Sequence, residues 1–317
     1  MPPRPLSGHI AIGILVTLLV ISGVWYVAGQ RTKALAPTIA EKPSSTPTNT
    51  VTKPIEKAPA YESNHVVVNL KGMTVELRVG TTTLETFSIV SIGKPGSYYE
   101  TIGGAHINDY KTKNHFSSFG EVYMPWSTHV FGNYFIHGIP YYPDGTRVST
   151  AYSGGCVRLN DNDAKKVYEF VSRGTPIILT QGSEFDFVSN ATSTPDMLST
   201  EMTQLMVAAI SLELLNQDTE IVDTDGVGIT TRKQLIPRLL NGDAAAGRKI
   251  VQPLGEKTFL MYMNQKASAL GMTNTTFTGT NEDALTTSED IVRFASYINS
   301  YKSYLNKVAS TTQRLSQ

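Results

Sequence analysis

Apolar and polar positions are arranged in several distinct ways along this chain, and each arrangement predicts a different structure. Residues 10 to 28 are apolar and carry no charge. As a helix at about 1.5 Å per residue they would span roughly 28 Å, close to a hydrocarbon core of about 30 Å. From 29 to 63 the periodicity vanishes and Pro, Thr, Ser, Lys and Glu dominate. Such a run buries too little surface to fold and reads as a semi-extended linker. Short strand-like runs follow. "HVVVNL" (His65 to Leu70) and "TVELRV" (Thr74 to Val79) flank a Lys71-Gly72 turn, and the second alternates apolar with polar residues. "ETFSIVSIG" (Glu85 to Gly93), "NYFIHGIP" (Asn133 to Pro140) and "TPIILT" (Thr175 to Thr180) extend the series. One helix interrupts it. "NDNDAKKVYEFVSRG" opens on the cap-forming residues Asn160, Asp161 and Asn162 and stops at Arg173-Gly174, with Val167, Phe170 and Val171 as its apolar stripe. The stretch 64–182 is therefore expected to be a mainly β unit with few helices.

A Ser/Thr-rich joint over 183–195 changes the period. "STEMTQLMVAAISLELL" (Ser199 to Leu215) places Met202, Leu205, Met206, Ala209 and Ile210 on one side of a helix. "EKTFLMYMNQKASALGM" (Glu256 to Met272) is a second helix, stopped at Gly271. "TSEDIVRFASYIN" (Thr287 to Asn299) is a third, opening on a capping-box pattern of Thr287 with Asp290; its apolar face is Ile291, Phe294, Ala295 and Ile298. Residues 196–317 are thus expected to be mainly helical.

Lys and Arg number 27 against 27 Asp and Glu, so the formal net charge is zero and nothing suggests nucleic acid as a partner. The apolar run 10–28 behind a short flank (1–9) is read as an uncleaved, single-pass transmembrane anchor. Cleavage at "ALA" (Ala34 to Ala36) is the alternative, although Arg31 and Lys33 separate it from the apolar run, which is also longer than a signal peptide needs. The linker would hold the rest of the chain away from the membrane. The flanking charges do not settle orientation.

Export sharpens the question posed by Cys156, the chain's one cysteine. A lone thiol cannot form an intramolecular bridge, so it is an intermolecular partner, an inert buried residue or a nucleophile. Gly154 and Gly155 precede it, Arg158 follows, and a helix comes next. Glycines let backbone N–H groups approach a substrate carbonyl. A thiol nucleophile needs a base, and His137, followed by Gly138, closes an upstream strand of the same unit. Arg158 could hold a carboxylate or act only as a structural ion pair, and Ser153 could orient the imidazole.

These residues resemble a family. "HG" at His137-Gly138 with "SGGCVRL" at Ser153 to Leu159 is similar to the L,D-transpeptidase catalytic (YkuD-type) signature, H-G … S/T-x-G-C-I/V-R. "KNHFSSFGEVYMPWSTHVFGNYFIHG" (Lys113 to Gly138) resembles the family's approach to its histidine. Gly154 stands where many members carry His, and "TIGG" (Thr101 to Gly104) replaces a T-P-x-G turn, with Ile102 expected to loosen it. The resemblance implies an L,D-transpeptidase-type fold over 64–182 and a peptidoglycan enzyme. Cys156 would attack the bond before the terminal D-Ala of a tetrapeptide stem, with His137 as general base and then acid. N–H groups around Gly155 and Cys156 would stabilise the oxyanion, and Arg158 would position substrate. The partners implied are donor and acceptor stems; no cofactor and no metal is called for. The working part of the chain would then lie outside the cytoplasm, at the cell membrane. Water in place of an acceptor amine would give an L,D-carboxypeptidase; a wall-binding scaffold and a generic cysteine peptidase or amidase are further alternatives. His65, His106, His115 and His129 are read as satisfied strand or loop residues, with His115 and His129 the first to be considered for a direct role. Tyr123 and Trp126 could line a groove, but aromatics beside a site are more often core.

Residues 196–317 resemble part of the D-alanyl-D-alanine carboxypeptidase (penicillin-binding) fold, most clearly at "MNQKASALGMTNTTFTGTN". That register puts Glu201 and Gln204 on the S-x-x-K positions and "NGD" (Asn241 to Asp243) on S-x-N, while K-T-G is absent. Ser199 and Thr200 have no Lys three places on. The resemblance therefore implies a partial α/β, non-catalytic domain.

Overall fold

The computed structural model describes residues 61–182, 199–223 and 228–315. The expected membrane span (10–28), nearly all of the linker (29–63) and the joint (183–195) lie outside the described residues. Among the described residues, no helix is long and apolar enough to cross a membrane.

Two sheets build the first half. One has the order β3-β2-β1-β9-β4, from β1 (Asn64–Asn69), β2 (Thr74–Val79), β3 (Thr82–Ser88), β4 (Gly104–Ile107) and β9 (Pro176–Thr180). The other runs β5-β6-β7-β8, from β5 (Lys111–Ser117), β6 (Val122–Phe131), β7 (Tyr134–His137) and β8 (Val157–Arg158). The apolar run Pro176–Thr180 is buried at every position because β9 is a central strand, parallel to β1 and antiparallel to β4. Val66, Val68, Val75 and Leu77 of the first sheet share one core with Val130, Ile136 and Val157 of the second.

Two local departures from the expected elements matter for the site. The run 85–93 is one extended chain, but β3 ends at Ser88 and the rest crosses to the other sheet. Val90 donates to the Arg158 carbonyl (2.8 Å), Arg158 to that of Ser91 (2.9 Å) and Ser153 to that of Ile92 (2.9 Å). The helix, α1 (Asp161–Phe170), stops short of Arg173-Gly174. Val171 is extended and fully buried, and Gly174 N–H donates to the Asn108 carbonyl at 2.8 Å. Tertiary bonding thus ends the helix before its sequence stop signal.

The second half holds α2 (Ser199–Leu214), the β10 (Glu220–Asp223) and β11 (Gly228–Thr231) ribbon, α3 (Arg232–Leu240), α4 (Ala244–Val251), α5 (Glu256–Ala269), α6 (Ser288–Tyr301) and α7 (Ser303–Leu315). α2 is not one-sided as its spacing suggests. Met202, Met206, Val207, Ala208, Ala209 and Ile210 are all fully buried, as befits a helix enclosed by its neighbours. Thr287 caps α6 through Asp290 N–H, as its sequence predicts.

The two halves meet in a buried cluster of opposite charges. Glu213 of α2 lies 2.8 Å from Lys266 Nζ of α5 and 3.6 Å from Lys302 Nζ, and accepts from Tyr297 Oη. Burial pulls Lys266 down to about 8 against the attraction of Glu213. Lys302 also donates to the Glu100 carbonyl at 3.2 Å, and Ser303 N–H to the Glu100 carboxylate at 3.1 Å. Glycines of the first half make room for the second. A Cβ on Gly103 would meet the Tyr301 ring at 2.5 Å, and one on Gly132 would strike Leu214. Ile102 is fully buried, and the turn it occupies is pinned by these contacts. Gly103→Ala is expected to destabilise the protein by about 1–3 kcal/mol through overpacking, seen as a lower urea midpoint. A second change, Tyr301→Ala, should add less to that loss than Tyr301→Ala does alone.

Candidate catalytic site

Cys156 reaches the site through strand register. The short parallel pairing of β7 with β8 sets Ile136 opposite Val157 and His137 opposite Arg158. Residue 156 therefore stands beside Phe135, on the same face as His137, because side chains on a strand repeat with a period of two. Cys156 Sγ receives a hydrogen bond from the Phe135 backbone and donates to the Asn133 carbonyl at 3.5 Å. The two residues line one cavity of about 500 Å³.

The imidazole is held from behind. Nδ1 of His137 donates to the Gly138 carbonyl at 2.6 Å, which leaves Nε2 as the acceptor of the neutral ring. Gly138 is fixed in turn. Its N–H donates to the Pro125 carbonyl at 2.8 Å, and a Cβ there would meet Asp161 Oδ1 at 2.5 Å. Asp161, the first residue of α1, accepts from Ile139 N–H at 2.8 Å and pairs with Arg147 at 2.6 Å.

The turn before Cys156 is equally constrained. Gly155 has φ +115° and packs on the buried Tyr134 ring so closely that no Cβ fits. Its carbonyl accepts from Thr101 Oγ1 at 2.8 Å, and Thr101 Oγ1 accepts from Gly93 N–H at 2.8 Å. The Ser153 hydroxyl takes the Gly155 N–H (3.0 Å) and donates to the Cys156 carbonyl (2.6 Å), so it shapes the turn and does not touch the imidazole. The Gly155 and Gly138 N–H groups are thus both occupied. Among the described residues, the N–H groups of Gly154 and Cys156 have no partner. Arg158 Nη1 binds Thr150 Oγ1 at 3.0 Å and the Thr150 and Tyr152 carbonyls, which ties down the loop beside the cavity; its buried Nε has no hydrogen-bond partner.

Of the other histidines, His115 lines the cavity, its ring tilted against that of Phe135, with its pKa lowered by burial. His129 bonds Asp109 and the Gly132 carbonyl, His106 the Gly103 carbonyl and His65 the Ser63 carbonyl. Tyr123 stacks on Tyr141 and Trp126 packs against Tyr168, so neither joins the cavity wall. The aromatic lining comes from Tyr99, Phe116, Phe119, Tyr134 and Phe135. Sequence reasoning passed over Thr101, Tyr134 and Asp161. Thr101 sits in the quoted "TIGG" and Asp161 was read only as a cap. It also missed a whole wall: Leu212, Glu213, Leu215, Asn216 and Asp218 of the second half line the same cavity.

Residues 63–179 match the profile of the L,D-transpeptidase catalytic domain, YkuD, and this segment is a catalytic domain of that type. Similar solved structures include a fused Zn-dependent amidase/peptidase/peptidoglycan-binding domain-containing protein from Clostridium acetobutylicum (25% identity, TM-score 0.32, covering 38% of this chain and 53% of that one). Others are an L,D-transpeptidase from Stackebrandtia nassauensis (23%, 0.33, 40% and 63%) and one from Mycobacterium smegmatis (21%, 0.31, 37% and 58%). The match thus spans little more than half of each of those chains. No curated protein matches the chain.

Burial lowers His137 to about 4 and raises the Cys156 thiol to about 11, the latter against Phe135 N–H and Arg158. At neutral pH the pair is thiol and neutral imidazole. Iodoacetamide labelling of the free protein should accordingly be slow at pH 7 and keep accelerating above pH 9. For stability the sign follows from proton counting. Between about 6.5 and 4 the unfolded chain binds a proton at His137 that the native state refuses, so stability falls as pH drops through that window, by about 3 kcal/mol in total. Urea unfolding of wild type against His137→Gln should show a fall smaller by about that amount in the variant, since His106 and His115, also lowered by burial, titrate in both. Gly155→Ala should remove activity, because φ +115° and the Tyr134 ring both oppose a side chain.

Proposed function

We propose that this chain is a membrane-anchored L,D-transpeptidase acting on peptidoglycan tetrapeptide stems outside the cytoplasm. The observation that carries the reading is the Cys156 thiol and the His137 imidazole on one strand face, opening to one cavity, with Nδ1 held by the Gly138 carbonyl. The charge-free run 10–28 supports the anchor.

As substrate binds, Nε2 of His137 takes the thiol proton and Sγ attacks the carbonyl before the terminal D-Ala. The N–H groups of Gly154 and Cys156 receive the oxyanion, each worth about 3–4 kcal/mol in comparable sites. The proton on Nε2 passes to the departing D-Ala amine, and a thioester remains. An acceptor amine then attacks the thioester, C–N forms, C–S breaks, and the proton lost by the amine returns to sulfur through His137. Water in the same position yields the L,D-carboxypeptidase outcome. We read residues 196–317 as non-catalytic: in the penicillin-binding register that their sequence suggests, Glu201 and Gln204 lack the chemistry of a nucleophile and its base.

Purified full-length protein with tetrapeptide-containing sacculi, followed by muropeptide analysis, tests the reading: D-Ala release and new cross-links are expected. Cys156→Ala should abolish release while circular dichroism stays unchanged, and His137→Gln should slow thioester formation by about 10²–10⁴-fold. Glu201→Ala and Gln204→Ala should turn over as wild type does. Release of D-Ala by Cys156→Ala would overturn the assignment.

A further inference from the structure

The segment 212–218 belongs to the helical half, yet it walls the cavity that holds Cys156. It is also held rigidly. Gln217 is buried and its side chain donates to the Ser211 (2.6 Å) and Leu215 (2.8 Å) carbonyls at the end of α2. The Asn216 carbonyl accepts from Arg232, and Asn216 Oδ1 accepts from Asp218 N–H at 2.9 Å. Lys233 N–H and Arg232 N–H close the corner onto the Gln217 (3.1 Å) and Thr219 (3.2 Å) carbonyls. On the catalytic side, Asn133 Nδ2 donates to the Leu214 carbonyl at 2.7 Å, from the same residue whose carbonyl receives the Cys156 thiol.

Charge on the lining is unevenly placed. On the catalytic side Arg158 carries the charge, while burial favours the neutral form of His115 and His137. Glu213 is fully buried and answered by Lys266 and Lys302. Asp218 is the one carboxylate among the described lining residues that is exposed. It is kept ionised, its pKa lowered by Lys233 and by Tyr99, whose hydroxyl donates to Oδ2 at 3.0 Å. Oδ1 pairs with Lys233 Nζ at 2.5 Å. A primary alkylammonium therefore already sits on this carboxylate, and the pair is exposed, the kind that exchanges readily.

We propose that the 212–218 corner is the acceptor wall of the cavity, and that Asp218, presented with Tyr99, receives the ammonium of the amine that resolves the thioester. The proposal rests on the reading of Cys156 as an acyl carrier. The acceptor arrives as an ammonium, exchanges with or shares the carboxylate with Lys233, and loses one proton to water. The free amine then attacks the thioester carbonyl, and its second proton goes by way of His137 Nε2 to the leaving sulfur. The helical half thereby sets which nucleophile, amine or water, consumes the intermediate.

The test reads how one intermediate partitions. Full-length protein is given a tetrapeptide whose side-chain amine is free, and cross-linked and hydrolysed products are quantified together. Asp218→Asn is expected to lower the ratio of cross-linked to hydrolysed product about five- to tenfold. Lys233→Ala, which frees the carboxylate, is expected to raise it at least twofold. Loosening of the corner alone would push both variants the same way, so opposite signs distinguish recognition from structure. A ratio within twofold of wild type in Asp218→Asn, or a fall in Lys233→Ala, overturns the proposal. Absence of any D-Ala release by wild type would instead overturn the acyl-carrier reading beneath it.

Discussion

Two residue pairs between β7 and β8 hold the chemistry together. The register of Ile136 with Val157 and His137 with Arg158 decides that thiol and imidazole share a face; a slip of one residue would turn the thiol away. So short a pairing cannot enforce its own register, and the surroundings do it. The crossing segment 89–93 bonds β8 on its other side, and Thr101 fixes the Gly155 carbonyl from below. Asp161 locks the Gly138–Ile139 peptide, whose carbonyl holds the His137 ring. Each is a backbone constraint, so the reactive side chains inherit positions that their own rotamers do not have to supply.

Behind that turn lies the buried Glu213, Lys266, Lys302 and Glu100 cluster. Two carboxylates and two ammonium groups balance, and Tyr297 adds a hydroxyl. Buried ion pairs contribute little net stability because desolvation offsets their attraction. What they do provide is a steep penalty for mispairing: any other seating of α2, α5 and α6 leaves a charge unanswered. The cluster ends at the Glu100 carbonyl, which also accepts from Tyr134 Oη at 3.4 Å, and the Tyr134 ring is the surface on which Gly155 rests. Packing thus runs continuously from the helical half to the residue next to Cys156.

Much of this was legible in the residue order. The strands β1, β2 and β9 follow from their β-branched residues and β7 from its apolar run, while Cys156 and His137 stand out through the resemblance of the HG and SGGCVRL segments to a family signature. β5 and β6 escaped because β5 is polar and largely exposed, while β6 carries Pro125 and a left-handed Trp126 (φ +53°), neither of which reads as strand. The end of α1 was misplaced because Val171 gains more from burial than from a further turn of helix. Ser153 looked like an orienting group for the imidazole, but hydrogen-bond direction is invisible in sequence, and its hydroxyl instead occupies the N–H of Gly155. The wall formed by 212–218 was out of reach for a different reason: nothing local to α2 says which surface of the other half it will meet.

The glycines give the clearest argument that the two halves specify one another. Gly103 and Gly132 lie in the β-rich half, but the atoms that forbid a side chain there belong to Tyr301 and Leu214. At Gly103 no unusual φ demands glycine; only the approach of α6 does. The site chemistry has the same two-sided character. On the proposed reading, a neutral thiol and a neutral imidazole are inert toward solvent and become a nucleophile only when a bound carbonyl makes the proton transfer productive. Since the helical half encloses part of the same cavity, the proposed reading gives it a share in deciding when the thiol reacts.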